Sequence, residues 1–259
     1  MLAVLSPAKR LDFETPPPPL GVTQPRLADR AAELAEAARA VDAARWKTLM
    51  KLSDPLAERT ARRFAAFEPA HHEGNAKPAI HAFQGDVYQG LDAASLGDAA
   101  ITHAQTHIRI LSGLYGVLRP LDLMQPYRLE MGTRFGGGAA RDLYGFWGGD
   151  IADVLADDLR EAGGGPLVNL ASREYVKAVD RPRLDAAVLD VDFRELRDGE
   201  PRIIAFHAKR ARGMMARFIC ENGITDAAGM KDFSTDGYRF RADLSTDDRW
   251  VFLRPDSRG

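Results

Sequence analysis

Cysteine is almost absent from these 259 residues: only Cys220 is present. One cysteine excludes an internal disulfide and any cysteine-rich metal centre. Its setting, Arg217-Phe218-Ile219-Cys220, reads as a small buried side chain rather than a stabilised thiolate. Charge of one sign is lacking too: 35 basic against 37 acidic residues leave a net charge of -2. Any face for a polyanion must therefore be a local patch, because the overall field does not attract one. No apolar run approaches the roughly 20 residues that span a bilayer. The opening Met1-Leu2-Ala3-Val4-Leu5 meets Ser6-Pro7 too soon for a signal peptide and lacks a basic start. The expectation is a soluble, cytoplasmic chain with no membrane partner.

Several motifs are missing as well. Gly113 and Gly116 have neither Walker nor dinucleotide spacing. His103 and His107 stand four apart, without the Glu and third ligand of a metalloprotease helix. No metal site or cofactor is expected, and no Ser-His-Asp or Cys-His arrangement can be argued from spacing.

What is present is ordinary globular composition, 45% apolar and 28% charged. Strands are expected at Leu2–Leu5, Ile80–Phe83, Ile108–Ser112, Leu167–Leu170, Ala187–Phe193 and Arg202–His207, with a terminal pair at Gly237–Arg241 and Arg249–Arg254. Helices are expected at Leu27–Ala44, Trp46–Leu52, Asp54–Phe67, Gly97–Thr106, Asp142–Ala162 and Lys209–Asn222. Ser53-Asp54-Pro55 breaks the second helix from the third. Alternation of the two kinds predicts a mixed α/β (α+β) fold: one domain over 1–259, with a central mixed sheet surrounded by helices.

Four segments could carry chemistry. Ser6-Pro7-Ala8-Lys9 follows the first strand, and the carboxyl end of a sheet strand is where ligands usually bind. Lys9 could hold an anion or act as an electrophile, with Asp12 near enough to pair; it could equally be a plain loop lysine. Gln84-Gly85-Asp86-Val87-Tyr88-Gln89-Gly90 brackets Asp86 with glycines, as a close-approach turn does and as a plain turn does. Leu111 to Met131 concentrates Gly113, Gly116, Tyr115, Tyr127, Arg119, Arg128, Asp122 and Glu130. It is either a loop that holds a planar or anionic ligand or a structural brace. Lys209-Arg210-Ala211-Arg212 opens a helix after a strand, where cations oppose the dipole and an anionic partner would relieve them; the alternative is a solvated basic face.

Taken together, Ser6-Pro7-Ala8-Lys9 with Leu11-Asp12-Phe13, Gly85-Asp86-Val87-Tyr88, the Leu111–Met131 segment, Leu143-Tyr144 with Phe146-Trp147, Asn169-Leu170-Ala171-Ser172, and Ala208-Lys209 through Phe218 resemble the YaaA peroxide-stress family. Arg10 stands where the family has threonine, and Gly148-Gly149 is one glycine longer than the family pattern. The resemblance implies a cytosolic protein of hydrogen peroxide resistance that limits free iron, with a positively charged cleft and a helix-hairpin-helix-like element that binds duplex or branched DNA. That element would be 46–67, with Lys47, Lys51, Arg59, Arg62 and Arg63; Arg128, Lys209, Arg210 and Arg212 would add phosphate contacts. Distant relatives imply an alternative: an enzyme acting on a nitrile of a nucleobase-like small molecule. Its catalytic cluster would be Lys9, Asp86, Tyr115, Arg119 and Glu130, with Lys9 or Glu130 as acid–base group and Tyr127 or Trp147 stacking on the base.

Overall fold

The computed structural model describes residues 1–19 and 21–255. Its centre is an eight-stranded mixed sheet built from β1 (Leu2–Leu5), β2 (Ile108–Ser112), β3 (Gly116–Leu118), β4 (Leu167–Asn169), β5 (Val188–Arg197), β6 (Glu200–Arg202), β7 (Arg239–Phe240) and β8 (Arg249–Arg254). The order is β7-β8-β5-β4-β1-β2-β3, with β6 paired to β5. From β8 to β2 the neighbours are parallel; β3, β6 and β7 join antiparallel. The expected mixed α/β architecture is the one observed.

β1 is fully buried, as its unbroken apolar run requires of a strand covered on both faces. The chain passes from β1 to β2 on one side, then returns to lay β4 on the other. That reversal opens a crevice beyond the carboxyl ends of β1 and β4, the usual ligand position in such sheets.

Local differences from the sequence reading have physical causes. Ile80–Phe83 lies mostly in a buried helical turn, Ala79–Ala82, because a short apolar run has no periodicity to separate helix from strand. The helix expected from Leu27 to Ala44 stops at Arg39, and a new one, Ala43–Met50, starts where the Asp42 carboxylate accepts from Arg45 N. Lys51 then adopts a left-handed conformation and Asp54–Ala65 follows, so 46–67 is a helix pair as expected. Asp142–Ala162 is two helices, Leu143–Trp147 and Asp150–Glu161, parted by Gly148 with φ of 47°. Asp150 stands at the start of the second helix, paired with Arg30 at 3.0 Å. Strand β6 ends at Arg202, and the last long helix begins at Ala205, not Lys209. Lys209, Arg210 and Arg212 therefore sit in its second turn rather than its first, beyond the turn where cations oppose the helix dipole.

Candidate functional site

A cleft of about 500 Å³ occupies the crevice beyond β1 and β4. Its floor is tied across the switch in the sheet. The Ser172 N–H, after β4, donates to Ser6 Oγ, after β1, at 2.8 Å. The Tyr88 hydroxyl donates to the Ser6 carbonyl at 3.0 Å. Tyr88, Tyr127 and Tyr175 form an apolar wall whose burial pushes each phenol well above its usual pKa.

The polar side chains come from four parts of the chain. Lys9 and Arg10 follow β1; Asp86 opens a short helix after Gly85, whose φ of 141° favours glycine. Arg128 and Glu130 arrive from the long segment after β3, and Lys209 and Arg212 from the Ala205–Glu221 helix. Glu130 is held between two cations, with Lys9 Nζ at 2.8 Å from Oε2 and Arg128 Nη2 at 3.3 Å from Oε1. Glu174, a third carboxylate on the cleft wall after Asp86 and Glu130, accepts from Gly132 N at 2.9 Å.

Two guanidinium groups are incompletely matched. The buried Nε atoms of Arg128 and Arg212 have no hydrogen-bond partner among the described residues. Burial lowers the Arg212 pKa, and Asp192 offsets this only in part. Arg63, whose Nη1 donates to the Tyr127 carbonyl at 3.4 Å, is likewise lowered by burial and then by Arg59 and Arg128. Arg128 is thus near enough to Arg63 to repel it, and it shares the cleft lining with Arg212.

Of the sequence-derived candidates, Lys9, Asp86, Arg128, Glu130, Lys209 and Arg212 meet here. Tyr115 and Arg119 do not. Tyr115 is wholly buried: Gln125 N donates to its oxygen at 2.9 Å, and its hydroxyl lies 2.9 Å from His71 Nε2. The other His71 nitrogen lies 3.0 Å from a carbonyl, to which it must donate, so the Tyr115 hydroxyl is the donor to Nε2. Arg119 locks the buried Asp122 carboxylate at 2.9 Å, helped by Thr23 at 2.6 Å. Trp147 is buried too and donates to Gly113 O at 3.1 Å, outside the cleft lining.

Asp12 is not Lys9's partner; it caps Glu14 N and Thr15 N and lies 3.5 Å from buried Lys77. Lys47, Lys51, Arg59 and Arg62 are exposed on the helix pair, outside the cleft lining. Lys47 pairs with Asp54 at 2.7 Å and Arg62 with Glu58 at 3.6 Å. Arg210 is exposed outside the cleft lining. His103 and His107 stack at 4.3 Å and bond to the carbonyls of Ile224 and Met1. Glu174 and Tyr175 escaped the sequence reading; their nearness in sequence to the Asn169–Ser172 words was the available signal.

Chemically, the cleft joins an aromatic wall, a net surplus of cations and a carboxylate within reach of two of them. Such a set can bind an anionic, partly planar group and can move a proton beside it.

The family profile described as peroxide stress protein YaaA matches residues 1–244. A UPF0246 protein of Idiomarina loihiensis is 50% identical over 258 residues, 100% of both chains. A UPF0246 protein of Burkholderia mallei strain SAVP1 is 51% identical over 256 residues, 98% of each chain.

Proposed function

Because this chain belongs to the family of peroxide stress protein YaaA, we propose that it is a cytoplasmic DNA-binding protein of the response to hydrogen peroxide. In this reading the cleft receives the phosphate and base of one nucleotide at a time. The observation that carries it is Arg212, a largely buried guanidinium with an unpartnered Nε, beside Lys209 in the cleft lining. Asp192 offsets the burial of this cation only in part, and a bound anion would relieve the rest. Phosphate suits the guanidinium fork, and Tyr127 and Tyr175 offer the base an apolar wall. About 500 Å³ is the scale of a small-molecule site and too little for a duplex.

Lys47, Lys51, Arg59, Arg62 and Arg63 would hold the flanking phosphates, with Arg63 and Arg128 bridging to the cleft. Binding should then weaken steeply as salt rises. Limited oxidative damage and less free iron would be the consequences in cells.

A second reading is favoured by Glu130 standing between Lys9 and Arg128. A carboxylate so placed can exchange a proton with Lys9 and present it to a bound base. The reaction would be hydration or hydrolysis of a nitrile on a nucleobase-like small molecule, with Lys9 or Glu130 as acid–base group and Asp86 assisting.

Fluorescence anisotropy with labelled single-stranded, duplex and branched DNA over a salt series tests the first reading. No salt-dependent binding to any of them would dispose of it. Incubation with a cyano-deazapurine, read by mass spectrometry, tests the second; recovery of unchanged nitrile would end it.

A further inference from the structure

Two of the three carboxylates that line the cleft are already engaged. Glu130 lies between Lys9 and Arg128, and Glu174 accepts from Gly132 N. Asp86 differs from both. Among the described residues its side chain makes no ion pair and no hydrogen bond, although it shares the lining with Lys9, Lys209 and Arg212. A carboxylate accepts hydrogen bonds and has none to give. Asp86 thus presents open acceptor positions in a cleft otherwise furnished with donors.

The place of this carboxylate is fixed by its surroundings. Arg10 and Leu11 pair antiparallel with Gln84 and Phe83, which lays the turn before Asp86 beside the segment that follows β1. A Cβ on Gly85 would touch that of Ala8, at 3.6 Å. The Tyr88 hydroxyl ties the helix Asp86–Leu91 to the Ser6 carbonyl. At the other end of that helix, Arg217 Nη1 donates to the carbonyls of Leu91 and Asp92, at 3.2 and 3.1 Å. Arg217 belongs to the helix that supplies Lys209 and Arg212, so the open acceptor and these cations are held at a set separation.

A cleft so built asks two things of one ligand: an anion for Lys209 and Arg212, and an N–H donor for Asp86. Inorganic phosphate meets only the first, and Asp86 repels it. A nucleotide whose base carries an exocyclic amino group meets both. Cytosine offers its N4 amino group and adenine its N6 amino group, and a carboxylate accepts well from the former. Thymine and uracil turn a carbonyl oxygen outward at the same place, which would set two acceptors against each other with no proton between them.

We propose that Asp86 is the specificity-determining residue of the cleft. It accepts from the exocyclic amino group of the bound base, so that cytosine is taken in preference to thymine or uracil. This rests on the nucleotide-binding reading above and names the chemistry by which that site chooses its base.

The test uses the full-length protein and calorimetry with deoxycytidine and deoxyuridine monophosphates, which share size, sugar and phosphate. Wild type should bind the cytidine nucleotide about five- to 150-fold more tightly, the discrimination of one well-placed base contact. Asp86→Asn, whose amide can also donate to a carbonyl, should abolish or reverse that ratio while the uridine nucleotide binds at least as well as before. A role of Asp86 confined to the start of its helix would leave the ratio unmoved, and an unmoved ratio would overturn the proposal. Equal wild-type affinities would overturn it without any variant, and the nucleotide reading would stand. If wild type binds neither nucleotide, both fall. Fluorescein-labelled cytidine and thymidine decamers, followed by anisotropy, carry the comparison to DNA. A preference among mononucleotides with no binding of either decamer would uphold Asp86 and make a free nucleotide the ligand in place of DNA.

Discussion

Gly90 and Gly213 meet where two helices cross with almost no space between them. A Cβ on Gly90 would lie 2.1 Å from the Arg210 carbonyl oxygen, and one on Gly213 would lie 1.8 Å from that of Val87. One helix carries Asp86 and Tyr88, the other Lys209 and Arg212. The crossing therefore sets the width of the cleft. Gly213→Ala should cost about 1–3 kcal/mol, as overpacking does, and should weaken anion binding as well. Urea unfolding and nucleotide titration of the same variant check this; wild-type values in both would mean that the crossing does not set the site.

Arg119 and Arg128 lie nine residues apart and should behave in opposite ways. Arg119→Ala strands the buried Asp122 carboxylate and should cost roughly 3–5 kcal/mol, with ligand affinity retained in the folded fraction. Burial already raises the Asp122 pKa above the usual carboxylate value, while Thr23 and Arg119 pull it down. Without Arg119 it must rise further. A raised folded pKa favours the folded state at low pH and penalises it as pH climbs through that value. The deficit of Arg119→Ala should thus be greatest at neutral pH and shrink on acidification. Denaturation midpoints at several pH values decide it.

Arg128→Gln should have the reverse profile. It should lower affinity for a phosphate-bearing ligand about tenfold or more, the scale of one charged hydrogen bond, with little change in stability. An unchanged affinity would remove Arg128 from the binding surface.

Glu130→Gln separates the two readings of the cleft. Removing its charge frees Lys9 and Arg128 for an incoming anion, so DNA binding should tighten. If Glu130 serves instead as an acid–base group, turnover of a nitrile substrate should drop by roughly 10²–10⁴-fold. A variant that shows neither effect would leave Glu130 as a structural pair.

Cys220 should be inert. Burial pushes its thiol up to about 12, so almost none is thiolate at neutral pH. Native protein should react with a thiol reagent far more slowly than unfolded protein, and Cys220→Ala should protect against peroxide as well as wild type does. Loss of protection in that variant would point to direct thiol chemistry.

The sequence was informative where local pattern and burial agree. β1 and β2 are short apolar runs, and Ser6-Pro7-Ala8-Lys9 fell where a strand's carboxyl end should deliver a ligand group. It was uninformative where tertiary packing decides. The Leu111–Met131 segment could be a ligand loop or a brace, and it is divided: Arg119 and Asp122 brace, whereas Arg128 and Glu130 face the cleft. Gly113 explains the division, since a Cβ there would lie 2.3 Å from the Leu129 carbonyl oxygen. The two halves of the segment pass so close that only glycine fits, and no spacing rule reveals a contact sixteen residues apart.

The tie between Ser172 and Ser6 has a consequence for the timing of synthesis. The strand just before Ser6 leaves the ribosome ahead of its two parallel neighbours, which come more than 100 and 160 residues later. Lys209 and Arg212 come later still. At ordinary elongation rates that gap is roughly 10–40 s. Throughout it no nascent fragment holds the full set of cations, so binding begins only once the Ala205–Glu221 helix has emerged.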